Sequence, residues 1–178
     1  LTGDAPATVH PSLWRQSELV AKQGLYEVVE GIYQVRGYDL SNITFIQGGT
    51  GWIVMDPLIS TETANAALDL VNEKLGRRPV HAVIYSHSHV DHYGGVRGVV
   101  DAADVASGKV QIIAPAGFLE HAVSENVIAG NAMGRRAIYM YGALLPRNER
   151  GGVNGGLGQT TSTGNVTLIV PGDTVTKT

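Results

Sequence analysis

Val83–Gly95 reads VIYSHSHVDHYGG, and no other stretch of the chain restricts its fold so tightly. Three of the six histidines fall between His87 and His92, with Asp91 among them, directly after an apolar run. A strand followed by His-x-His-x-Asp-His sets its donors at the strand's C-terminal edge. On extended backbone, residues two apart point the same way, so His87 and His89 can converge on one ion. A turn at Val90-Asp91 directs Asp91 and His92 towards a second. Three imidazoles packed this closely behind a buried strand are costly without a cation to share. Gly94 and Gly95 permit close backbone approach directly behind the ligands. Because the chain has no cysteine, nitrogen and oxygen must hold any metal. That donor set suits zinc, with iron or manganese next. The other histidines, His10, His81 and His121, stand alone and read as structural or solvated residues, His81 as a core residue of its strand.

The surrounding sequence reads as a layered α/β unit. Ile32–Arg36, Asn42–Gln47 and Gly51–Asp56 are rich in β-branched and aromatic residues, and GGTG at Gly48–Gly51 predicts a hairpin turn. Ser60–Gly76 predicts a helix. Ala64, Ala67, Leu68, Val71 and Leu75 make one stripe, Ser60 or Thr61 caps the start, and Gly76 ends it. Val80–Tyr85 is apolar nearly throughout, as a strand buried on both faces would be. A short helical pattern through Val96, Val99 and Val100 follows, then a strand at Val110–Ala114. Gly117–Leu145 is helical in pattern, with Gly130 and Gly134 expected to interrupt or bend it. Arg150–Gly164 is a glycine-rich surface loop near the site, without the Gly-Lys-Ser/Thr ending of a phosphate-cradling loop. Asn165–Val170 (NVTLIV) predicts another strand, and a chain that stops soon after opening a strand is expected to be incomplete.

Composition narrows the function classes. The 178 residues are 43% apolar and 16% charged, a globular balance for one domain. A net charge of −3, with no basic stripe, argues against nucleic-acid binding. No apolar run reaches the ~18–20 residues that cross a bilayer, and the opening LTGDAPATVHP lacks the features of a signal peptide.

SHSHVDHYGG (Ser86–Gly95) resembles the zinc motif of the metallo-β-lactamase fold superfamily. The resemblance implies an α/β fold, a metallo-β-lactamase-like αββα sandwich, incomplete in this chain. It also implies two zinc ions, with His87 and His89 on one and Asp91 and His92 on the other. Asp56, closing an earlier strand, takes the place of the carboxylate that orients a ligand histidine. Within the superfamily, GFLEHAVSENVIAGNAMGRRAIYMYGALLP (Gly117–Pro146) is similar to the metal-dependent alkyl sulfatases, as are HYGGVRGV before it and GLG…TG after it.

That similarity implies hydrolysis of detergent-like alkyl sulfate esters by water activated at a binuclear zinc site, with Asp91 in the catalytic role. It also implies a homodimer, built through regions absent here, and a secreted or periplasmic location. The further ligands of such enzymes, two glutamates and a histidine, have no match after Val170. Residues 1–178 are therefore expected to form the N-terminal part of a catalytic domain, inactive in isolation. A lactonase or thioesterase of the same fold, or a non-catalytic metal-binding fragment, are the alternative readings. Arg135 and Arg136 read as a solvated face, and Tyr139, Met140 and Tyr141 as core or interface.

Overall fold

The structure, a computed structural model, describes residues 3–177. Helix α1 (Pro11–Val20) starts where His10 Nδ1 accepts from Ser12 N, with proline at the first helical position. Strands β1 (Gly24–Val29), β2 (Ile32–Arg36), β3 (Ile43–Gln47) and β4 (Trp52–Met55) then form an antiparallel meander. Helix α2 (Thr61–Leu75) crosses over to β5 (Val80–Ile84), which pairs parallel to β4. Strand β6 (Gln111–Pro115) adds parallel to β5, and β7 (Asp173–Val175) parallel to β6, completing one seven-stranded sheet in sequential order. This is one sheet of the expected αββα layering.

The hydrophobic pattern explains the core. Val35, Ile43, Phe45, Trp52, Val54 and Val83 are fully buried on the sheet, and Ala64, Ala67 and Val71 of α2 are fully buried against it. The α2 ends match the sequence signals, since Ser60 Oγ accepts from Thr63 N at 3.3 Å and Gly76 leaves the helix at φ 89°. Three glycines after the histidine cluster press against the entrance to α2. A Cβ on Gly94 would lie 2.2 Å from Ile59 O, one on Gly95 2.2 Å from Pro57 O, and one on Gly98 2.2 Å from Thr61 O. The close approach expected at Gly94 and Gly95 is therefore against the chain that leads from β4 into α2.

Several expectations need correction. Asn165–Val170 is not a strand. It lies across loop backbone instead of along a sheet edge, bonding Thr167 N to Gly94 O at 2.7 Å and Asn165 O to Thr61 N at 2.9 Å. Its apolar Leu168 and Ile169 pack on the core from there. Strand β5 is buried on both faces, through Val80 and Ala82 on one and Val83 and Tyr85 on the other, except at His81, which is exposed, lies against Gly51 and meets Thr50 Oγ1 at 3.1 Å, so it is no core residue.

The long helical segment breaks ahead of both glycines. Helix α4 (Phe118–Val123) passes into a π-turn at Ser124–Ile128, and α5 (Gly130–Tyr141) runs through Gly134 unbroken. The valine pattern beyond the cluster makes only a 3₁₀ turn at Val96–Gly98. Helix α1, strand β1 and the short helix α3 (Ala102–Ala106) carry patterns too weak to have been read from sequence.

Candidate metal centre

Strand β5 ends at Ile84, and the chain leaving it carries His87 and His89 before a 3₁₀ turn, Val90–His92, that holds Asp91 and His92. The turn closes through His92 N to His89 O at 3.0 Å and Gly94 N to Val90 O at 2.8 Å. Four of the five sequence-predicted residues thus come from one short loop. The fifth, Asp56, arrives from the adjacent parallel strand, just past the end of β4. It sits at φ 58°, a left-handed conformation that Asp tolerates better than most residues. Leu58 repeats that conformation at φ 61° and is held there by complete burial.

All five residues meet. The His87 ring centroid lies 4.1 Å from that of His92 and 4.6 Å from that of His89. Asp56 Oδ1 accepts from Ser86 N at 2.8 Å, and Asp56 Oδ2 accepts from His92 Nδ1 at 2.9 Å. Ser86 Oγ donates to Asp56 Oδ2 at 2.6 Å, so its lone pairs are left to accept from His87 Nδ1 at 2.9 Å. One carboxylate therefore holds the Nδ1 side of two imidazoles, one directly and one through a hydroxyl. This leaves Nε2 as the ring nitrogen of both His87 and His92 that Asp56 and Ser86 do not engage, and in His92 it turns to Asp91.

The charges follow from these contacts. Burial opposes protonation of His92, but its hydrogen bonds to Asp56 and Asp91 outweigh it and push the pKa up to about 9. Burial works against ionised Asp91 too, yet its hydrogen bond and attraction to His92 hold the carboxyl below its usual value. Burial, then the neighbouring His92 and His89, push His87 down.

Among the described residues no three such donors surround a common point. They are paired with each other, as His92 Nε2 lies 3.2 Å from Asp91 Oδ2 and His89 Nε2 lies 3.4 Å from Glu125 Oε1. The set nonetheless fits a divalent cation in chemistry, because clustered imidazoles beside half-buried carboxylates are the nitrogen and oxygen donors that zinc takes.

Residues 36–176 match the metallo-beta-lactamase superfamily. This chain belongs to that superfamily. Among superfamily members, a linear primary-alkylsulfatase of a Pseudomonas species is 64% identical over 174 residues, 98% of this chain and 26% of that protein. An (R)-specific secondary-alkylsulfatase of a Pseudomonas species is 51% identical over 169 residues, 94% of this chain and 26% of that protein. The solved structure of the stereoselective inverting sec-alkylsulfatase Pisa1 from Pseudomonas sp. superposes with a TM-score of 0.94 at 50% identity, covering 98% of this chain and 28% of that one. The chain thus spans about a quarter of the length of these metallo-β-lactamase relatives.

Other residues around the superfamily motif escaped sequence reasoning. Ser41, between β2 and β3, donates its hydroxyl to the main-chain oxygen of Asp91. Two residues before it, the buried Asp39 ties three segments together. Its carboxylate accepts from Ile59 N at 3.1 Å, Thr63 Oγ1 at 3.0 Å and Ser162 N at 2.9 Å. The glycine-rich loop is thereby pinned beside the site, with Gly158 against the Leu40 backbone. An open hollow of about 410 Å³ lies there, bounded by Ser41, Thr44, Asp56, Asp91, His92 and Leu157.

Tyr139 and Met140 are 89% and 62% exposed, so neither is core, while Tyr141 is half-buried and feels the Asp91 carboxylate. Arg135 and Arg136 are exposed, as their sequence reading had it. Only Ser86, next to the first ligand histidine, carried a local signal; the partners of Ser41 and Asp39 are distant in sequence.

Proposed function

We propose that this chain carries the metal-gripping part of an alkyl sulfatase, which hydrolyses alkyl sulfate esters to an alcohol and inorganic sulfate. The observation that carries the reading is the 64% identity to a linear primary-alkylsulfatase along a chain that includes the whole His-x-His-x-Asp-His loop. His87, His89, Asp91 and His92 would hold two zinc ions. Bound there, zinc would lower the pKa of water towards ~7 and offset charge on the sulfate group.

The chain's own residues prepare that chemistry. Asp56 engages the Nδ1 side of His92 directly and of His87 through Ser86, by contacts at 2.6–2.9 Å, and so keeps their Nε2 atoms for the metal. Ser41 fixes the backbone at Asp91, and Asp91 stays ionised beside the hollow, ready to accept a hydrogen bond from water and aim its oxygen at the ester. The bundled contacts of Asp39 keep the glycine-rich loop beside that hollow, which Leu157 of the loop lines. A homodimer, a secreted or periplasmic location and the N-terminal place of this piece in a catalytic domain belong to the same reading. They are supported by the resemblance alone.

The test is sulfate release from dodecyl sulfate by protein of the relatives' full length containing this sequence, beside a lactone and a thioester. Release that stops on chelation and returns with zinc is expected. Release that survives chelation, or faster turnover of the lactone or thioester, overturns the reading.

A further inference from the structure

Asp39 is buried, only 5% exposed, and stands apart from the His-x-His-x-Asp-His donors. Burying a carboxylate is costly unless donors surround it. Five do. Oδ1 accepts from Leu40 N at 2.8 Å and Ser162 N at 2.9 Å. Oδ2 accepts from Ile59 N at 3.1 Å, Thr63 Oγ1 at 3.0 Å and Ser162 Oγ at 2.5 Å. The donors belong to three segments: the β2–β3 loop, the stretch from Asp56 into α2, and the glycine-rich loop. Ser162 alone supplies two of them, so the grip on the glycine-rich loop is double.

Each of those segments lends a residue to the hollow beside Asp91 and His92, namely Leu40, Asp56 and Leu157. Leu40 and Leu157, with Asn42, also line a second hollow of about 220 Å³ that runs to Leu19 and Val20 at the end of α1. The two leucines are thus a ridge that both hollows share. Leu157 is 73% exposed there, in a loop that Gly155, Gly156 and Gly158 leave without stiffness of its own. Apolar contact has no preferred direction and would let such a loop slide, whereas hydrogen bonds to a carboxylate fix both distance and angle. We propose that Asp39, through Ser162, is a positioning residue that sets Leu157 against Leu40 as the wall for the substrate's alkyl chain, and so favours chains long enough to cross from the first hollow into the second. This role rests on the alkyl sulfatase reading above. A short alkyl group ends in the hollow beside Asp91, while a long one continues over the leucines towards Leu19 and Val20.

The experiment measures sulfate release from dodecyl and hexyl sulfate, below their micellar concentrations, by zinc-loaded protein of the relatives' full length containing this sequence. Each methylene returned to water is worth about fourfold in affinity, so a displaced wall that uncovers one or two of them costs about 4–15-fold. Ser162→Ala and Asp39→Asn are expected to lower the dodecyl-to-hexyl ratio of kcat/KM by that factor, the loss falling on the dodecyl KM and not on kcat. Leu157→Ser should do the same. Ser162→Ala combined with Leu157→Ser should lose no more than Leu157→Ser alone, because Ser162 acts through that leucine. Trypsin cleavage after Arg150, followed by mass spectrometry, reads the clamp without substrate and should quicken in Ser162→Ala.

Thr163→Ala, at the exposed neighbouring position, serves as the control and should change neither readout. A ratio indifferent to Ser162→Ala, equal losses on the two esters, or a double variant whose losses add overturns the proposal. Should Asp39→Asn not fold, Ser162→Ala and Leu157→Ser decide it by the same criteria. Faster cleavage with an unchanged ratio leaves Asp39 a clamp but overturns its part in substrate selection. Native protein that releases sulfate from neither ester instead refutes the alkyl sulfatase reading itself, and the alkyl wall falls with it.

Discussion

Asp56→Asn separates what the carboxylate charge does from what its backbone does. Asparagine tolerates the left-handed conformation at φ 58° nearly as well as aspartate, so the backbone strain is unchanged. Asn Oδ1 can still accept from Ser86 N, but the amide nitrogen replaces Oδ2, which accepts from both Ser86 Oγ and His92 Nδ1. A donor would then face two donors. The charge effect can be sized from His92. Raising an imidazole from 6.5 to about 9 corresponds to about 3 kcal/mol of preference for the protonated ring, shared between Asp56 and Asp91. Removing one of the two charges should remove about half, roughly 1–2 kcal/mol.

The direction with pH is fixed by the sign of the shift. In metal-free protein the folded-state pKa of His92 lies above that of the unfolded chain. Its contribution is therefore full below about pH 6.5 and fades as pH rises through about 9. Metal-free Asp56→Asn should melt about 3–6 °C below native protein at pH 6, and the gap should narrow by pH 10 to what the lost Ser86 contact leaves. Differential scanning calorimetry in the presence of a chelator measures both. An equal gap at the two pH values would refute the coupling of Asp56 to His92, and no gap at pH 6 would refute the whole account of the contact.

Three other outcomes follow from the same geometry. His89→Ala should lower bound zinc sharply by elemental analysis, whereas His121→Ala, on an exposed turn of α4, should not; equal losses would contradict the ligand assignment. Gly95→Ala places a methyl 2.2 Å from Pro57 O and 2.6 Å from Ser60 O, so it should destabilise by about 1–3 kcal/mol in urea titration, and a neutral effect would deny the close approach. Ser60→Ala removes a fully buried cap of α2 that also meets Thr63 Oγ1 at 2.9 Å and should destabilise by about 1–2 kcal/mol, visible as a lower urea midpoint at unchanged slope.

The sequence by itself determined the elements whose signals are local. A Ser-to-Gly bracket around an apolar stripe was enough for α2, because helix ends are set by the orphan backbone groups of a single turn. The strands Ile32–Arg36 and Ile43–Gln47 were legible from β-branched and aromatic content, and the donor loop from its spacing alone.

Tertiary structure decided what depends on distant partners. NVTLIV has the composition of a strand, but its backbone bonds to the loops at Thr61 and Gly94, and the edge of β6 takes Asp173–Val175 in its place. His81 lies in an apolar strand yet ends exposed beside Thr50, and the long helical segment yielded a π-turn where no glycine lies. At the site, His-x-His-x-Asp-His announced the donors but not the orientation of their rings. That orientation comes from Asp56 one strand away, directly and through Ser86, while Ser41 fifty residues upstream holds the Asp91 backbone. A hydrogen bond depends on where two atoms finish in space, and the chain's own order records only where each begins.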